Sequence, residues 1–168
     1  MLSVQVSPAT NTTSSQDIND TKKTVIIPMN EDSIVAQLRD KQLLVVNPKK
    51  KNGLIIYKRY HAEFAGPGAV VGSYFDLDVV GVLAVGNLSL ICPKTSQDRV
   101  SAYLLRRQWI RLLKQITDNP EPLQRAETII NQFRNWFDEE TSEKLPNEAF
   151  ARLVGVLPET VRRAREGN

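Results

Sequence analysis

The 168-residue chain is 41% hydrophobic and 24% charged, a balance that excludes fibrous and wholly disordered classes and suffices for one ordinary core or two small ones. Its formal net charge of +3 permits a polyanionic partner without requiring one, so the placement of charge is more informative than the total. The single cysteine, Cys92, excludes an internal disulfide, and with one histidine, His61, the soft ligands are too few for a zinc site, so neither a metal nor another cofactor is expected.

Residues 1–22 are rich in Ser, Thr, Asn and Gln and show no period, so they bury too little surface to offset their ordering entropy, and a flexible tail is expected. The same stretch lacks the basic and apolar regions of a signal peptide, and no segment supplies about 18 uninterrupted apolar residues. A soluble protein of a reducing, cytoplasmic compartment is expected, without a membrane span.

Residues 23–95 predict a small, mainly antiparallel β domain. "TVIIP" at 24–28 is a short β-branched run, and "SIVAQL" after Asp32 suits one or two helical turns. "QLLVVN" and "GLIIYKRY" flank "PKKKNG", which predicts a hairpin tipped by Lys49, Lys50 and Lys51. "DVVGVLAV", "GN" and "LSLIC" predict a second hairpin, since glycine takes the positive φ of a two-residue turn. "AGPGAVVG" at 65–72 lies between them as a bend. It has neither the glycine spacing nor the lysine of a phosphate cradle.

Residues 96–168 predict a helical domain, giving an α+β chain. A helix over 98–116, capped by Ser96 or Asp98, places Ala102, Leu105, Trp109, Leu112, Leu113 and Ile116 on one arc, assigned to the core. Arg99, Arg106, Arg107, Arg111 and Lys114 fall on another, with no acidic residue between them. That basic face suits a phosphate backbone, an anionic membrane, the acidic "DEET" at 138–141 or a second subunit. "DNPEP" ends the helix, and a second over 122–137 carries Leu123, Ala126, Ile130, Phe133 and Phe137 at helical spacing. "DEETSEKLPN" then breaks the pattern before two short helices.

Those last helices read "FARLVGVLPETVRRAR" over 150–165. Phe150, Ala151, Val154, Val156 and Val161 suit a tight two-helix corner, Gly155 its positive-φ turn, and Pro158 the first position of the next helix. The segment resembles the helix-turn-helix of bacterial transcription regulators, over about twenty residues only. Leu157 departs from that pattern, standing where the family usually has Ser or Thr. The resemblance implies that residues from Pro158 to about Glu166 form a reading helix, whose Thr160, Arg162, Arg163 and Arg165 meet a DNA groove or its phosphates. It implies homodimerisation too, since two half-sites multiply few base contacts.

Catalytic groups are scarce. A nucleophile–base pair needs His61 or Cys92, neither with an evident orienting partner, and Asp76 and Asp78 in "YFDLD", on one face of an expected strand, lack a third ligand. A non-enzymatic, nucleic-acid-binding, DNA-directed regulatory or accessory protein is therefore expected, using Arg162, Arg163, Arg165, Thr160, Arg106, Arg107, Arg111, Lys114 and Lys49 to Lys51. The alternative is an adaptor or assembly factor whose basic helix and terminal corner contact another protein.

Overall fold

In the computed structural model, which describes residues 30–167, the chain opens with helix α1 (Glu31–Arg39). The expected tail and the run at 24–28 lie outside the described residues. The Asn30 side chain accepts from the Asp32 amide at 3.0 Å, satisfying one of the amides a helix start leaves open. Ile34 and Leu38, one turn apart, are the buried face of α1.

Six strands follow: β1 (Leu43–Val46), β2 (Asn52–Tyr57), β3 (Ala62–Ala65), β4 (Val70–Gly72), β5 (Gly81–Gly86) and β6 (Leu90–Ile91). They form two antiparallel three-stranded sheets, β4-β1-β6 and β3-β2-β5. The connections 47–51, 66–69 and 87–89 each carry the chain from one sheet into the other. One three-strand order is thus repeated in both sheets.

Neither expected hairpin forms: β1 does not pair with β2, nor β5 with β6, and the turn that does join paired neighbours is 58–61, between β2 and β3. Asn52 supplies the reason. Its buried amide donates to the carbonyls of Asn47 at 3.0 Å and Lys50 at 2.9 Å, and its Oδ1 accepts from the Ser89 amide at 3.0 Å. This knots two crossings together and sends each strand into the other sheet. Gly86 (φ +67°) lies within the same knot, where a Cβ would stand 2.9 Å from the Lys51 carbonyl oxygen.

The helices are α2 (Ser96–Thr117), α3 (Pro122–Trp136), α4 (Glu139–Lys144), α5 (Asn147–Val154) and α6 (Pro158–Glu166). The N-cap of α2 is Thr95, not Ser96 or Asp98. Its hydroxyl accepts from the Asp98 amide while the Asp98 carboxylate accepts from the Thr95 amide, a reciprocal capping box. The segment expected to break the pattern instead holds α4, capped by Asp138.

Period-two alternation divides most of the strand residues between two larger cores, while Val45 and Val70 join Ala102 of α2 in a third, smaller cluster. Leu44, Val46, Leu54, Ile56, Val71, Val82 and Leu90 pack with Ile34 and Leu38 of α1. Ile55, Phe64 and Val85 face the other way and join Ala126, Ile129, Ile130, Phe133, Phe150, Val154 and Val161 of the helices. Phe64 enters an aromatic group, its ring centroid 5.1 Å from Trp109, 4.8 Å from Phe133, 5.8 Å from Trp136 and 5.9 Å from Phe137. The architecture is α+β, with hydrophobic packing continuous between the sheet and the helices.

Candidate functional site

Most of the expected contact residues lie on three features: the α5–α6 corner, the length of α2 and the lysine loop. The corner follows from local chemistry. Gly155 sits at φ +66°, ψ +46°, with nothing within 4 Å of where a Cβ would be, so conformation rather than space selects glycine there. The Gly155 and Val156 amides both donate to the Ala151 carbonyl.

Sequence reasoning missed the clamp on this corner. The Arg125 guanidinium donates to the carbonyls of Val154 at 3.0 Å, Gly155 at 3.1 Å and Asn119 at 2.7 Å. A cation thereby satisfies the open carbonyls at the C-terminus of α5. Arg125 is 29 and 30 residues from the first two acceptors, so no local spacing reveals it.

Beyond the turn, Val161 and Ala164 are the buried face of α6. Arg165, expected to face a groove, turns inward: it donates to the Leu145 carbonyl at 2.7 Å and the Ser142 carbonyl at 3.3 Å and lies over the Phe150 ring. Desolvation lowers its pKa. Arg165 is thus a strut joining the ends of α4 and α6. Thr160 is half-buried, and the outward charged residues of α6 are Glu159, Arg162, Arg163 and Glu166. Arg162 is bonded by both glutamates, with Nε 2.9 Å from Glu159. The hydrogen bond and charge of Glu159 raise the Arg162 pKa, and the same bond lowers that of Glu159. Two cations and two anions leave this face without net charge.

The basic arc of α2 divides differently from the expectation. Arg106 is wholly buried: Asp76 accepts from it at 2.9 and 3.0 Å, the Val70 carbonyl accepts at 3.1 Å, and Glu63 bonds the same guanidinium. Desolvation depresses the Arg106 pKa, and the charges and hydrogen bonds of Asp76 and Glu63 more than offset it, for a net rise. A guanidinium so engaged cannot also meet a phosphate. Ala102 and Leu113 are buried as expected, whereas Leu112 is 40% exposed, so the inward face centres nearer Arg106.

Arg107, Arg111 and Lys114 are exposed, Lys114 making a surface pair with Asp118 at 3.0 Å. Asp76 and Asp78 lie in a turn rather than a strand, and both engage Lys58. The Lys58 hydrogen bond holds the Asp78 carboxyl below its ordinary range. Lys49, Lys50 and Lys51 are exposed on the 47–51 crossing, on a backbone preset by Asn52. Cys92 is exposed, and His61 Nε2 lies 3.4 Å from Glu63.

A cleft of about 400 Å³ opens where three elements converge: Tyr60 to Glu63 at the β2–β3 turn, Ile110 to Thr117 of α2, and the corner from Ala151 to Val156. Among the described residues, no group of three or more His, Cys, Asp or Glu is placed to hold a metal ion. Nor, among them, is any helix long and apolar enough to cross a membrane. Comparison with protein-family models, curated proteins and solved structures found no match to this chain.

Proposed function

We propose that the chain is a non-enzymatic adaptor that docks an acidic, amphipathic segment of a protein partner along the outer face of α2. The observation that carries this reading is one stripe of side chains. Val100, Leu104, Arg107, Arg111 and Lys114 succeed one another by steps of four, three, four and three, which keeps them on one side of a 3.6-residue helix over about 21 Å. Val100 and Leu104 are 52% and 54% exposed, and α2 carries no acidic residue after Asp98. Apolar groups beside arginine stems, with the charges held outward, suit a partner that alternates leucine-like and acidic residues. A second copy of α2 fits poorly, because an isologous contact brings the arginines of the two copies face to face.

Nucleic-acid contact is the second reading, favoured by the Gly155 corner and the solvent-facing α6, on which Arg163 has no ion pair among the described residues. Against it stand the charge balance of α6 and the engagement of Arg106 and Arg165 in packing. Fluorescence anisotropy separates the two readings. A labelled synthetic helix with a leucine stripe flanked by glutamates is titrated beside mixed-sequence duplex DNA, from low to physiological salt. The adaptor reading expects peptide binding that Arg107→Glu/Arg111→Glu removes and Arg162→Ala/Arg163→Ala leaves intact. Micromolar duplex binding lost in the Arg162/Arg163 variant, without peptide binding, overturns it.

A further inference from the structure

The cleft beneath the corner has a chemistry of its own, sharing only Lys114 with the stripe on α2. Ala62, Leu113, Ala151 and Leu153, each at most 6% exposed, contribute its apolar lining, and Ile110 is half-buried beside them. Its charged lining residues are Glu63, Lys114 and Arg152, with His61 beside Glu63. The negative member is already spent: Glu63 bonds the buried Arg106. Both cations remain open to a ligand. Arg152 makes no ion pair among the described residues, only a 3.3 Å bond to the Arg59 carbonyl and a place over the Tyr57 ring. Lys114 holds Asp118 in a surface pair exposed on both sides, the kind that contributes little and exchanges readily.

A cavity of this size, apolar with a few convergent polar groups, has the make-up of a small-molecule site. The excess charge selects an anion, and the planar fork of an arginine suits a carboxylate. We propose that this cleft binds a small carboxylate with an apolar body, the charge taken by Arg152 and Lys114 and the body by Ile110, Leu113 and Leu153. Arg152 belongs to α5, and Gly155 and Val156 also line the cleft. A bound ligand would therefore touch the corner whose carbonyls Arg125 holds.

The test titrates the full chain with 2-naphthoate, read by the probe's fluorescence and by ligand-observed NMR. Saturable binding with a Kd at or below about 1 mM is expected. The uncharged isostere 2-naphthamide and the variant Arg152→Met should each weaken binding at least about tenfold, while Arg152→Lys retains part of it. Thr117→Trp, which adds bulk at the cleft from an exposed position, should also reduce binding. Unchanged melting temperatures assign these losses to the cleft rather than to unfolding. No saturable binding, equal affinity for acid and amide, or indifference to Arg152→Met overturns the proposal.

Discussion

A guanidinium taken out of water loses several kcal/mol of hydration, and Arg106 recovers it from two carboxylates and a carbonyl. Arg106→Met should lower unfolding stability by about 3–5 kcal/mol in urea titrations, because Asp76 would lose a charged partner in the core. Arg106→Met/Asp76→Asn should cost less than the two single variants together, since the double change removes the fully buried Asp76 charge along with its cation. The neighbouring Asp78 makes a pH prediction. Its folded pKa is depressed, so its contribution is present above the unfolded value and fades as pH falls through the folded one. Asp78→Asn should therefore flatten part of the acid limb of a stability–pH curve, below about pH 4, and leave neutral pH largely unchanged. None of this was legible in the chain. Helical spacing places Arg106 on an arc with other arginines, yet its burial is decided by carboxylates 30 and 43 residues earlier.

Elements whose chemistry is local were legible. Gly155 and Pro158 mark the corner because a positive φ and a missing amide are properties of single residues. Gly155→Ala should cost about 1–2 kcal/mol, and Gly155→Asn less, in thermal or urea unfolding, since only conformation and no clash opposes a side chain there. Arg125→Met should cost about 1–3 kcal/mol, because three carbonyls lose a charged donor, and amide exchange at the start of α6 should quicken. Strand pairing was not legible. Two apolar runs around a turn-forming loop look alike whether they pair or diverge, and the divergence rests on Asn52 reaching Ser89, 37 residues away. The inward arc of α2 was found about one position off, because the expectation counted Leu112, which is 40% exposed, and left out Arg106, which is buried.

Across the whole molecule, the strands and the helices share one apolar junction. Phe64 comes from β3, yet four of its aromatic neighbours come from α2, α3 and the residue after α3. Phe64→Ala should lower stability by about 3–5 kcal/mol, and far- and near-ultraviolet circular dichroism should melt together, because removing this ring loosens both parts at once. Separate transitions for sheet and helices would contradict that junction. The α+β class and the order of sheet before most helices were readable from the change of period near residue 95. How the two parts meet was not, because nothing in the local pattern of β3 distinguishes a phenylalanine of one core from a phenylalanine of the other.

The same junction gives the protein a built-in optical reporter. Its two tryptophans, Trp109 and Trp136, stand edge to face with ring centroids 4.8 Å apart, and both touch Phe64. Tryptophan emission therefore comes from one place, where β3 meets α2 and α3. A shift in its colour or quenching reads the docking of sheet on helices directly, without a label.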